Sequence, residues 1–193
     1  WHFPAGVWSQ TTYRNAKELL AKMDISISLQ QTFEIMFNML ETLWEHRKAL
    51  RRILSTLAQE ERYNLYFNII KSVPGIGPLT AIRLVLEWGD VSRFTRKEEF
   101  ANFTGLIPRD FSTGERDHKG HITKQGCRWV RGWLIECAWV AIRHDPVLLN
   151  KFHRVVLHNG SKKKAIVAVA RKMALRIRSI LISGEIYSIG MVQ

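Results

Sequence analysis

The sequence predicts a mainly α-helical protein: a helical domain with a long coiled-coil-like helix and a helix-hairpin-helix element. Three observations predict this. No Pro or Gly occurs between Ile25 and Val73. Apolar residues recur at three- and four-residue steps, the helical period, over 33–57 and again over 130–141. Pro and Gly punctuate the chain at Pro74–Gly77, Asp145-Pro146 and Asn159-Gly160, where one helix can end and another begin. Strand-like alternation is weak throughout. With 193 residues, 46% hydrophobic and 24% charged, the composition is globular and argues against disorder.

Residues 1–25 mix Trp1, Phe3, Trp8 and Tyr13 with turn formers and receive no element. From about Ile27 to Leu57, the residues Phe33, Met36, Leu40, Leu43, Leu50, Leu54 and Leu57 follow an a/d heptad, with Arg47 at a skipped a position. Such a helix pairs with another helix, in cis or in a second subunit, or else packs as a single amphipathic helix on its own domain. The boundary at Pro74–Gly77 divides an N-terminal segment, 1–72, from a helical C-terminal domain, 73–193. Helices are expected at about Pro78–Glu87 and Lys97–Phe103, and a polar loop at about Pro108–Ile122. A helix over Lys124–Arg143 lines up Val130, Leu134, Cys137 and Ala141. Asp145-Pro146 then starts a further helix. His144-Asp145 reads as helix capping, and Ser161 as the cap of a final helix, Lys162 to about Ile182.

Charge is the strongest compositional bias. Twenty-nine Lys and Arg oppose seventeen Asp and Glu, a net +12. Residues 1–72 carry nine basic and seven acidic side chains, and 73–193 carry twenty and ten. A basic field of this kind favours a polyanion, since each neutralised phosphate releases condensed counterions. No apolar run approaches the length of a membrane span, and no secretory signal is seen. Two cysteines, Cys127 and Cys137, exclude a disulfide scaffold and suit the cytoplasm. The chain opens on Trp1 without an initiator Met and is expected to be a fragment.

Four motifs bear on chemistry. Val73-Pro74-Gly75-Ile76-Gly77-Pro78 fits a helix-hairpin-helix over about 66–88, where Gly75 and Gly77 shape the turn and backbone amides opening the second helix hold a phosphate. An ordinary glycine-rich helical hairpin reads the same way. Second, Ser112-Thr113-Gly114 lies in a Gly-flanked loop, about 105–124, bracketed by Arg109, Arg116, Lys119 and Lys124. A hydroxyl nucleophile attacking a phosphodiester wants such cations near the non-bridging oxygens. Spacing alone favours a turn or cap instead. Third, Lys124, Arg128 and Arg131 share one helix face beside Trp129 and Trp133, placed to track a backbone or stack a base, or simply to be solvated. Fourth, Lys162, Lys163, Lys164, Arg171, Lys172, Arg176 and Arg178 meet no acidic residue before Glu185, which suits a phosphate-facing surface. His118, His121 and Cys127 match no zinc spacing, and the acidic residues form no two-metal set, so no metal ligands are assigned.

The order of these motifs adds to their separate meanings. Pro74-Gly75-Ile76-Gly77, Phe103-Thr104-Gly105-Leu106-Ile107-Pro108, Ser112-Thr113-Gly114-Glu115, Gly120-His121-Ile122-Thr123-Lys124-Gln125-Gly126, Arg131-Gly132-Trp133-Leu134-Ile135-Glu136 and Lys164–Lys172 stand in register. Over about 73–182 the chain resembles the C-terminal transposase domain of the bridge-RNA-guided insertion-sequence transposases, and the heptad fits their coiled-coil segment. The resemblance implies Ser112 as the nucleophile joined covalently to a DNA strand, with Thr113 the less favoured hydroxyl because of its extra methyl. It implies DNA and a structured guide RNA as partners, and a homo-oligomer through the long helix. It also implies Mg2+ only in a RuvC-like domain that these 193 residues lack, and no cofactor here. Two other readings stand beside it: a non-catalytic helix-hairpin-helix nucleic-acid-binding module, and a helical assembly domain with incidental charge.

Overall fold

The structure is a computed structural model that describes residues 10–113, 116–122 and 125–190, with 108–113 and 116–122 described as backbone. Eight helices and one two-stranded antiparallel hairpin are seen among them, so the fold is mainly α as expected. The chain divides into two compact units at Leu50/Arg51. That differs from the boundary at 72/73, because α3 (Glu61–Lys71) buries Phe67, Ile69 and Ile70 in the core of the second unit. The Pro-Gly punctuation marks a turn inside a unit.

In the first unit, α1 (Gln10–Ala21) packs on the first part of α2 (Ile27–Leu57). Tyr13, Ala16 and Phe37 are buried between them, with Leu20, Phe33, Leu40 and Trp44 packed against that cluster. Tyr13 meets Phe37 and Trp44 edge-on at 5.1 and 5.0 Å between centroids. The seam facing α1 is therefore Phe33, Phe37, Leu40 and Trp44, again in steps of four and three. The heptad read from sequence is split by this arrangement. Its Phe33 and Leu40 face α1, whereas Met36, Leu43 and Leu50 stay about 60% exposed.

The second unit is organised around α8 (Lys162–Ser183), which packs against α7 (Pro146–Asn159), α6 (Arg128–Ala141), α5 (Lys97–Phe103) and α3. Small and branched residues on α8 (Ala165, Ile166, Val169, Ala170 and Ala174) allow this close approach and are all buried, as is the unbranched Met173. Helix α4 (Pro78–Trp88) starts with Pro at its first position, where a missing N–H costs nothing, and buries Ala81, Ile82, Leu84, Val85 and Trp88. Asp145 accepts from the Val147 and Leu148 amides and so caps α7 rather than the helix before it. Gly160 at φ +64 ends α7, and Ser161 accepts from the Lys164 amide to open α8.

The expected polar loop is instead a hairpin of β1 (Pro108–Thr113) and β2 (Arg116–Ile122). It carries too little apolar alternation to announce itself as strands, and its ladder is a backbone one.

Candidate nucleic-acid interface

The hairpin places Ser112 in register with Asp117 and Thr113 with Arg116, while Asp110 pairs with Lys119. Arg109 falls at the one irregularity in the register, between Pro108 and Asp110. Lys124 lies outside the described residues. At the root of the hairpin the geometry is tight. Gly105 and Gly126 both hold positive φ, +68 and +98, and a Cβ on Gly126 would sit 2.6 Å from the Asn102 and Phe103 carbonyl oxygens. The Cys127 amide donates to the Phe103 carbonyl at 3.1 Å, joining the exit of the hairpin to the end of α5. A Cβ on Gly105 would meet the Arg131 guanidinium at 2.5 Å, so half-buried Arg131 packs on the Gly105 backbone ahead of β1. Gly126 takes a left-handed conformation just before α6, which runs over Arg128–Ala141.

The two turn glycines of the α3–α4 connection part company. Gly75 has φ +86, and a Cβ there would lie 2.4 Å from the Cys137 carbonyl oxygen of α6. A side chain there is excluded by the close packing of the turn against α6. Gly77 has φ −81 and open space around its Cβ position, so any residue fits its conformation. It is the N-cap of α4 and offers no side chain to cap the first-turn amides. An open groove of about 480 Å³ adjoins this turn, lined by Arg51, Ser55 and Gln59 of α2, Lys71 of α3, and Pro78 and Leu79 of α4. Arg51 and Lys71 carry no sequence signal, because only the fold brings them to one groove with Pro78 and Leu79.

Helix α8 does not present all its cations. Arg176 is buried against Asp145 at 2.9 Å, and Arg178 donates to the Phe94 carbonyl at 2.6 Å, so neither is offered to a phosphate as the sequence suggested. Lys162, Lys163 and Lys164 are exposed, and Arg171 and Lys172 are half-buried. The three lysines occupy the first turn of α8, where the helix dipole is positive and a cation is disfavoured. An external anion offsets that. No Asp or Glu occurs between Asp145 and Glu185. Burial, followed by the charges of Arg176, Lys151 and Arg154, holds the Lys172 ammonium below the usual lysine range. Lys151 and Arg154 of α7 thus extend the basic field, a feature legible in the acid-free stretch.

Cys137 is a packing residue: burial, then the Glu136 charge, push its thiol up to about 11. Among the described residues no three His, Cys, Asp or Glu side chains group as metal ligands, and no helix is long and apolar enough to cross a membrane.

With this geometry the likeness to known proteins is informative. Residues 67–154, from α3 through the hairpin into α7, match the family model of the Transposase IS116/IS110/IS902 family. The chain is 32% identical over 124 residues to the transposase for insertion sequence element IS1111A of Coxiella burnetii, covering 63% of this chain and 34% of that protein. It is 38% identical over 120 residues to the transposase for IS1328 of Yersinia enterocolitica, covering 61% and 36%. Likeness to a probable family 20 transposase of Pseudomonas aeruginosa reaches 31% over 155 residues, covering 75% and 46%. The chain thus spans roughly a third to a half of the length of these relatives.

Proposed function

We propose that this chain is the DNA-binding and strand-joining part of a transposase, acting on DNA with a structured RNA as guide. The observation that carries the reading is the family match across the segment that builds the hairpin, its glycine-clamped root and the α3–α4 turn. Phosphates lie along three basic features. These are the α3–α4 turn with Arg51 and Lys71, acting as a helix-hairpin-helix element; the hairpin with Arg109, Arg116 and Lys119, flanked by Lys124, Arg128 and Arg131; and the start of α8 with Lys162, Lys163, Lys164 and Arg171. Such contacts position a backbone without reading its sequence.

In the proposed reaction the Ser112 hydroxyl attacks a phosphorus of the DNA backbone. A Ser Oγ–P bond forms, the P–O bond to one deoxyribose breaks, and the departing oxygen takes up a proton as Ser112 loses one. The phosphodiester count is conserved, so a second strand's hydroxyl can reverse the step and join. The described residues gather no metal-binding set. No step here passes through Mg2+, which the resemblance assigns to a RuvC-like domain on another part of the protein. The exposed face of α2, with Met36, Met39, Leu43, Leu50 and Ile53, serves as the seam to a second copy.

The test is strand joining with the RuvC-like half supplied. Ser112→Ala abolishes joining and leaves DNA binding intact, while Thr113→Ala retains joining. Joining by Ser112→Ala contradicts the assignment.

A further inference from the structure

The fold separates the two tryptophans at the start of α6. Trp133 is half-buried, with the Arg83 guanidinium 5.4 Å from its ring, and packs against the core. Trp129 is 67% exposed, the most exposed aromatic side chain among the described residues. An indole this exposed leaves a large π face open to a partner. Its surroundings say which kind. The Arg128 guanidinium lies 5.9 Å from the Trp129 ring, Arg131 is one turn on, and α6 has no acidic residue before Glu136. An apolar protein surface has no use for that charge. A nucleotide offers both an anionic phosphate and a π face.

Position narrows the choice further. Trp129 stands three residues after Gly126, whose backbone is wedged against Asn102 and Phe103. Trp129 thus stands in the first turn of the helix that follows the hairpin carrying Ser112. Bases inside a duplex are stacked on each other and cannot stack on a side chain; an unpaired one can.

We infer that Trp129 is a stacking platform for an unpaired nucleobase of the strand held beside the Ser112 hairpin, with Arg128 placed for the adjoining phosphate. The inference rests on the nucleic-acid reading above and adds a base-contacting site to it.

The experiment compares binding of the 193-residue chain to single-stranded oligonucleotides of about 16 nucleotides. DNA and RNA of one sequence are used beside abasic DNA of equal length and charge. Wild type binds the base-bearing strands on the order of ten-fold more tightly than the abasic strand. Trp129→Ala removes that preference and leaves abasic binding unchanged, whereas Trp129→Phe keeps most of it. A preference for RNA over DNA, lost in Trp129→Ala, assigns the base to the guide. An equal preference assigns a base of either strand. Base preference that survives Trp129→Ala overturns the inference while leaving the nucleic-acid reading intact. So does a change of oligomeric state in Trp129→Ala with the preference retained. No binding to any strand overturns both.

Discussion

Arg176 donates to the Asp145 carboxylate at 2.9 Å, with the two side chains only 6% and 0% exposed. Tyr187 closes the group: its hydroxyl bonds Asp145 and accepts from Arg176 at 2.7 Å. The Tyr187 amide donates to the Ser72 hydroxyl at 2.9 Å. Four parts of the chain meet there: the end of α3, the cap of α7, the middle of α8 and the segment after it. This cluster fixes the α3–α4 turn relative to the basic start of α8.

Breaking that pair strands a buried charge. Asp145→Asn is expected to cost about 3–5 kcal/mol, since Arg176 stays in the interior without its counter-ion. Tyr187→Phe leaves the ion pair and is expected to cost about 1–2 kcal/mol. Urea unfolding measures both, and a loss below about 1 kcal/mol for Asp145→Asn contradicts the account.

The same cluster sets a pH window. Burial pushes the Asp145 carboxyl up, but the Tyr187 hydroxyl, the Val147 and Leu148 amides and Arg176 outweigh it and leave it below the ordinary value. Its stabilisation is present above the unfolded aspartate value near ~3.9 and is lost as pH falls through the lower folded value. Burial, then the bond to Asp145, push Tyr187 up to about 12. Its contribution is complete below the unfolded tyrosine value near ~10 and disappears as pH rises from there through the folded value. Denaturation midpoints across pH are expected to show both limbs, and Tyr187→Phe to shrink the alkaline one, the remainder of which includes the buried Cys137 thiol.

The two turn glycines should respond oppositely. Gly75→Ala meets a positive φ and the Cys137 carbonyl, and is expected to destabilise by more than about 2 kcal/mol. Gly77→Ala meets neither and should cost at most about 1 kcal/mol, the loss of a favourable N-cap. Thermal unfolding of the pair checks this. Equal effects contradict the close-packing role of Gly75.

The lysines that open α8 are expected to trade stability for phosphate binding. Replacing Lys162, Lys163 and Lys164 together by Gln removes cations from the positive end of a helix dipole, and should raise stability by a few tenths of a kcal/mol for each. The same variant should lower the slope of log affinity against log salt by about 2–3. A variant less stable and unchanged in salt slope contradicts the phosphate-facing role.

The sequence carried these features unevenly. The starts of α4, α7 and α8 were readable because Pro78, Asp145-Pro146 and Ser161 mark them, and Gly160 marks the end of α7. The hairpin was not readable, since Arg109, Asp110, Asp117 and Lys119 give a polar ribbon without apolar alternation. Nor was the fate of Arg176, because its partner Asp145 lies thirty-one residues away and only the packing of α7 on α8 brings them together. The separation of Trp129 from Trp133 is likewise tertiary. A four-residue step puts both on similar faces of α6, but α6 starts at Arg128, so Trp129 falls in its outermost turn.

The proposed function requires a phosphate-binding surface on which Ser112 acts. Binding of labelled DNA and structured RNA across a salt series, wild type beside Ser112→Ala, tests it most directly. With about six to ten phosphate contacts, affinity is predicted to fall about 10³- to 10⁵-fold between roughly 50 and 200 mM salt, equally in both proteins. Absence of salt-dependent binding in the wild-type chain would contradict the account and leave a helical assembly domain.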